Sequence, residues 1–144
     1  MIATVAVGTD GSNTAATALA AALDLAERFG ARLVVISAFS PPKQPGAVRL
    51  AGAASAHPGW ASNEAEQLER ILAAAEESAA ERGIESSSAM APGDPGEVLV
   101  SLAEQHGADL LVVGNKGMER RILGSVPNTV SHRATCSVFI VKTT

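Results

Sequence analysis

The feature that most constrains the fold is an alternation. Short apolar runs recur along the chain at Ile2 to Val7 (IATVAV), Leu33 to Phe39 (LVVISAF), Asp109 to Val113 (DLLVV) and Ser137 to Lys142 (SVFIVK), with a weaker one at Ile84 to Met90 (IESSSAM). The runs at Ile2 to Val7 and Leu33 to Phe39 lack the polar–apolar alternation of a strand with one wet face and read as buried strands, the other three reading as strands too. The serines of the third run place it nearer a sheet edge. Between these runs the spacing turns helical. Over residues 13–29 Ala16, Leu19, Leu23 and Ala26 share a face, Ser12 or Asn13 caps the start and Gly30 supplies the stop. From about residue 63, Asn63 with Glu66 forms a capping box, Leu68, Leu72, Ala75 and Ala79 form a stripe, and Gly83 ends it. Asp94 caps a third helix with Pro95 at its first position and Glu97 at its third, and a fourth helix starts at Ser125. Strands alternating with helices imply a mostly parallel sheet covered on both faces. The expectation is one doubly wound α/β domain over residues 1–144, interrupted by a long variable loop at about 40–62. That loop holds four of the seven prolines and has no clear period, which marks it as functional or poorly ordered.

The composition narrows the function classes. With three Phe, one Trp and no Tyr, the core must be built from Val, Leu, Ile and Ala, and the chain lacks the stacking platforms of a single-strand nucleic-acid binder. A net charge of −4 argues against a general affinity for polyanions. No basic segment followed by an apolar stretch opens the chain, and no apolar run approaches the roughly 20 residues of a membrane span. No nucleic-acid or membrane partner is expected, and the cytoplasm is the expected compartment. The single cysteine, Cys136, excludes an intramolecular disulfide and a CxxC pair.

In a doubly wound sheet, ligands bind beyond the carboxyl ends of strands where the strand order reverses. Two strand ends here are rich in turn chemistry, Gly8-Thr9-Asp10-Gly11-Ser12 after the first and Gly114-Asn115-Lys116-Gly117 after the fourth. If those strands are neighbours at the reversal, the two turns face each other across a crevice. Glycine after a strand permits a sharp turn and close approach of a ligand. Gly124-Ser125-Val126 then opens a helix whose first amides lack intrahelical partners, and such amides with the helix dipole suit a phosphate. Lys116, Arg120 and Arg121 make the same stretch locally cationic. The Ser125 hydroxyl either caps its own helix or donates to a phosphate oxygen. The spacing matches neither a Walker A loop nor the GxGxxG fingerprint, and glycines with a Gly-Ser pair also occur as plain turns and caps.

The remaining reactive side chains form no catalytic constellation. Asp10 alone in a turn caps an amide or holds a ligand more readily than it acts as a base. Ser125 has neither a GxSxG elbow nor obvious His and Asp partners. His57, His106 and His132 lack metal-ligand spacing, and His132 with Arg133 suits the negative end of the last helix. Cys136 reads as a small packed hydrophobe, since a reactive thiol requires a lowered pKa. Glu64, Glu66, Glu69, Arg70, Glu76, Glu77 and Glu81 form a solvated face, with Glu66–Arg70 an i,i+4 pair. Trp60 is either a lid anchor or a cover for an apolar patch.

Taken together, VAVGTDGS, LVVISAF, GDPGEVLVSLAEQHGADLLVVGNKG and LGSVPNTVSHRATCSVFIVK resemble the universal stress protein family over nearly the whole chain. The resemblance implies a five-stranded parallel sheet in the order 3-2-1-4-5, a homodimer and, in one branch, ATP or a related adenine nucleotide in the crevice. Carried over by residue, it places Asp10 and the main chain at Ala38 near the adenine, with Gly8 and Thr9 at the same end. It places Val113 and Gly114 beside the ribose, with Asn115 following in the same turn. Phosphates fall to Gly117, Gly124, Ser125 and Val126. The nucleotide-binding branch usually has nine residues between the second glycine and the Gly-Ser pair. Here Gly117 and Gly124 are separated by six residues, MERRIL.

The expected function is therefore adenine-nucleotide binding by a stress-response or regulatory homodimer that pairs through residues 137–142. ATP, AMP and cyclic AMP are the candidate ligands, with Mg2+ accompanying ATP. The alternatives are a dimer acting through protein contacts without nucleotide and, well below it, a slow ATPase. The short spacer predicts that AMP or cyclic AMP keeps most of the affinity of ATP.

Overall fold

The alternation is realised as β1 (Thr4–Gly8), α1 (Asn13–Phe29), β2 (Arg32–Phe39), α2 (Gly59–Glu81), β3 (Ser86–Pro92), α3 (Pro95–Gln105), β4 (Leu110–Asn115), α4 (Ser125–Arg133) and β5 (Ser137–Lys142). The computed structural model describes residues 1–40, 59–115 and 123–143, with the side chains of α2 described from Asn63 onward. All five strands are parallel and lie in the order β3-β2-β1-β4-β5. The serine-rich third strand is at one edge, as its sequence suggested, and β5 is at the other.

Each face of the sheet carries its own core. Val5, Val7, Leu33, Val35, Leu110 and Val112 pack against Ala18, Ala22 and Ala26 of α1 and Leu72, Ala75 and Ala79 of α2. The alternate residues Ala6, Val34, Ile36, Leu111 and Val113 pack against Val98, Leu99 and Ala103 of α3 and Val130 of α4. Because both sides of these strands are buried, no polar alternation survives in their sequence. Burying each Val, Leu or Ile contributes about 1.5–3 kcal/mol relative to exposure.

The helix ends are set by local chemistry. The Ser12 hydroxyl accepts from Ala15 N at 3.2 Å, which satisfies one orphan amide of α1. Gly30 ends that helix at φ 64°, and Ala31 N donates to Ala26 O at 2.9 Å. Asp94 caps α3 through Glu97 N at 3.2 Å. Glu97 does not complete a capping box, because its carboxylate pairs with Arg133 of α4 at 2.8 Å.

Two helix expectations are corrected. The buried face of α1 consists of Ala15, Ala18, Ala22, Leu23 and Ala26, with Ala16 exposed and Leu19 only partly buried. Small alanines let the helix lie close to the sheet, and that close approach outweighs burying the bulkier Leu19. Helix α2 begins at Gly59, so Asn63 is a helix-interior residue and not a cap. An interior Asn costs roughly 0.7 kcal/mol against Ala, too little to stop a helix whose stripe packs on the sheet. Residues 59–62 thus belong to α2, and residues 41–58 of the expected loop lie outside the described residues, as does His57.

The amino ends of the strands are tied by polar contacts. The Asp109 carboxylate, just before β4, accepts from Ala3 N at 2.9 Å and Thr4 N at 3.0 Å. Arg32 donates to the Thr4 hydroxyl at 3.1 Å and to the His106 carbonyl at 2.7 Å. These contacts lock β1, β2 and β4 in register at the end opposite the crevice.

Candidate functional site

Strands β1 and β4 are neighbours, pairing Val5 with Leu110 and Val7 with Val112. The chain leaves β1 for a helix on one face and enters α4 on the other face after β4. The carboxyl ends therefore part, and a crevice opens between them. It forms a cavity of about 380 Å³, within the range of small-molecule sites.

Nine of the expected residues line this cavity. Gly8, Thr9, Asp10 and Ala38 stand on the β1 and β2 side, Val113 and Gly114 at the end of β4, and Gly124, Ser125 and Val126 at the start of α4. Asn115 is fully buried and does not line it. Gly117 lies outside the described residues, as do Lys116, Arg120 and Arg121. Sequence reasoning missed Thr14, Pro95, Leu99 and Pro127, which also form the wall. Each had been read only as part of a helix.

The β1 turn is rigid. Thr9 N donates to the Ile36 carbonyl at 2.9 Å, and the buried Ser37 hydroxyl donates to the Thr9 carbonyl. Gly11 N donates to the Thr9 hydroxyl at 3.2 Å, and Ser12 N donates to the Asp10 carboxylate at 2.9 Å. These bonds hold the exposed Asp10 carboxylate at the cavity rim, where it is placed to accept from a ligand amine or hydroxyl.

Two of the glycines have a different reason from the one their position suggested. A Cβ on Gly8 would lie 2.7 Å from Cδ2 of Leu99, and one on Gly114 would lie 2.9 Å from Cγ2 and 3.1 Å from the carbonyl oxygen of Thr14. These glycines admit α3 and α1 against the strand ends, and the close approach they allow is that of a helix. Gly124 differs, since its Cβ would meet the Asn115 amide oxygen at 3.3 Å and Pro127 no closer than 3.7 Å.

The start of α4 offers a countable set of donors. Of the four amides without intrahelical partners, Gly124 N already donates to Asn115 Oδ1 at 2.9 Å. Pro127, at the third helical position, has no N–H. Ser125 N and Val126 N remain. Gly124 is the N-cap residue and no side chain caps this helix, so the exposed Ser125 hydroxyl does not cap it and adds a third donor. Two amides and a hydroxyl at a positive helix end match the oxygens of one phosphate group.

The other singled-out groups below do not line the crevice. Cys136 packs against the α3–α4 core, and burial pushes its thiol pKa up, away from an activated thiolate. His132 and Arg133 occupy the last turn of α4. The Glu66–Arg70 pair spans 3.9 Å in solvent and contributes little. Among the described residues, no group of three or more His, Cys, Asp or Glu is placed to hold a metal ion. No helix among them is long and apolar enough to cross a membrane.

The family model described as the universal stress protein family matches residues 1–142. The chain is 39% identical over 145 residues to universal stress protein Rv1636 of Mycobacterium tuberculosis, covering 98% of this chain and 97% of that one. A crystal structure of a universal stress protein in complex with cAMP superposes with a TM-score of 0.70 at 33% identity, covering 99% of this chain and 98% of that one. The universal stress protein from Archaeoglobus fulgidus in complex with dAMP has the same fold, with a TM-score of 0.71 at 20% identity and coverage of 99% and 100%.

Proposed function

The chain belongs to the universal stress protein family, and on that premise we propose that it is a regulatory protein that binds an adenine nucleotide in the β1–β4 crevice and acts as a homodimer. The carrying observation is the donor set at α4, Ser125 N, Val126 N and the Ser125 hydroxyl, facing the rim carboxylate of Asp10 across one cavity. The donors take a phosphate and the carboxylate takes the polar edge of the nucleoside. Apolar Ile36, Val113 and Leu99 line the space between and suit a flat base and ribose. The cAMP held by the 33% identical relative supports the same ligand class here.

One phosphate fits this set of donors, so AMP and cyclic AMP are the ligands the crevice suits best. ATP enters through the same first phosphate. Its outer phosphates, with Mg2+ where ATP carries it, find no further amide at this helix start.

The dimer reading rests on β5. Among the described residues it pairs with β4 alone and leaves its other edge open, with Phe139 exposed by 43%. An open apolar edge is a template for another strand, and the same strand of a second copy covers it about a two-fold axis.

Calorimetric titration with AMP and cyclic AMP tests the site, alongside the double variant Gly124→Val/Ser125→Ala. Branching at Gly124 blocks the amides, and the alanine removes the hydroxyl. Affinity should fall at least about tenfold, near 1.4 kcal/mol, with the unfolding midpoint little changed. Unchanged affinity in the variant places the site elsewhere. A wild-type protein that binds neither ligand leaves a dimer acting through protein contacts.

A further inference from the structure

We propose that Asn115 is the positioning residue of the phosphate cradle, acting through the Gly124 amide and touching no ligand itself; this rests on the nucleotide-binding reading above. The residue stands at the end of β4 in the turn that reads as ligand-binding, yet it is wholly buried and absent from the cavity wall. Its carboxamide oxygen accepts from Gly124 N at 2.9 Å, nine positions later in the chain. Its own carbonyl accepts from the Thr143 hydroxyl at 2.8 Å, just past β5. The last residue of β4 is thereby fixed to the sheet on one side and to the cap of α4 on the other.

The consequence lies in the geometry of the next two amides. Gly124 is in extended backbone at φ −64° and ψ 171°, and its conformation sets the direction in which Ser125 N and Val126 N point. An amide hydrogen bond to a buried side chain removes the freedom of that cap to rotate. The two donors are then aimed at one point before a ligand arrives, and binding does not bear the entropy of ordering them. The bond also consumes Gly124 N, so the cradle has two amides and not three. A short polar side chain with its acceptor at Oδ1 suits this task. A Cβ alone cannot reach, and an apolar residue leaves the Gly124 amide without a partner in a half-buried place.

The experiment compares AMP with adenosine by calorimetry on wild-type protein and Asn115→Ala. Adenosine uses the base and ribose contacts and ignores the cradle, so the ratio of the two affinities isolates the phosphate contribution. The expected result is an AMP affinity lower by on the order of tenfold, about 1.4 kcal/mol, with adenosine changed by less than about threefold. If Asn115→Ala does not fold, Asn115→Leu fills a similar volume without an acceptor and should give the same loss of ratio. Equal losses for both ligands would show a merely structural residue and overturn the proposal, as would an AMP-to-adenosine ratio unchanged from wild type. Wild-type protein that binds neither ligand would overturn the nucleotide reading itself, and the role of Asn115 with it.

Discussion

Shortening the phosphate chain of the ligand tests the donor count at α4 directly. Gly124 N is committed to Asn115 and Pro127 has no N–H, so on the proposed reading the first phosphate would meet Ser125 N, Val126 N and the Ser125 hydroxyl. A hydrogen bond to a charged group contributes about 1.5–3 kcal/mol net. Two amides at the low end give about 3 kcal/mol, on the order of a hundredfold between adenosine and AMP. Cyclic AMP keeps that phosphate and most of the gain. The second and third phosphates find no further amide at this helix start. Lys116, Arg120 and Arg121 are the cations the sequence offers them, and solvent-exposed charge pairs contribute roughly 0–1 kcal/mol each and weaken with salt. ATP should therefore bind less than about a hundredfold, 2.7 kcal/mol, more tightly than AMP at physiological salt. Calorimetry of adenosine, AMP, cyclic AMP, ADP and ATP at low and physiological salt measures each step. A larger ATP advantage that persists at physiological salt would mean that the segment between Asn115 and Gly124 clamps a triphosphate. Equal affinities for adenosine and AMP would refute the donor count.

The other predictions concern the frame that holds the crevice. Gly8→Ala brings a Cβ to 2.7 Å from Leu99 Cδ2, a side-chain end bordering the cavity that can shift aside, so the overpacking cost falls near the low end of about 1–3 kcal/mol with a modestly lower melting temperature. Gly8→Ala/Leu99→Val should lose less than the sum of the single changes, whereas strict additivity would mean the two do not meet. Hydrogen bonds from Ala3 N, then Thr4 N, hold the Asp109 carboxyl below its ordinary pKa. Its contribution to stability is thus complete above about pH 4 and is lost as pH falls through the lowered folded value. Asp109→Asn should flatten this acid limb in urea unfolding at stepped pH, and an unchanged slope would remove Asp109 as its source. Phe139→Lys puts a charge on the open β5 edge and should shift sedimentation from dimer to monomer at micromolar concentration without unfolding. Wild-type protein that is already monomeric would end the dimer reading.

The sheet was legible because burial on both faces leaves an unmistakable record. LVVISAF and DLLVV have no polar alternation, and each is followed by turn chemistry, so parallel strands and crossover helices follow directly. The strand order came from resemblance, since no local pattern says that β1 lies beside β4. Caps were legible where one residue decides them, as at Ser12, Gly30 and Asp94. They were illegible where the deciding contact is remote. Glu97 was free by spacing to close a capping box, but Arg133, far along the chain, claims its carboxylate at 2.8 Å. In α1 the bulk of leucine points to the wrong face, because nearness to the sheet favours the smaller alanine.

The same distinction governs the crevice. Glycines at strand ends suggested room for a ligand, yet at Gly8 and Gly114 the space a Cβ would need is filled by Leu99 and Thr14. Their absence of a side chain sets how closely α3 and α1 approach, so these glycines shape the cavity through those helices as well as by lining it. A loss of binding on substituting either glycine would therefore not locate a ligand contact. The informative positions are those whose chemistry faces the cavity without supporting the sheet, Ser125 above all. Pro127 limits the donors in a way the sequence states outright, because proline lacks an N–H wherever it stands. The Asn115–Gly124 bond limits them further, and nothing local announces it, since its partners are nine positions apart. By joining the end of β4 to the cap of α4, that bond makes the aim of the two remaining amides independent of how many residues lie between. On the proposed reading, a six-residue spacer, MERRIL, can replace a longer one and keep the first phosphate position.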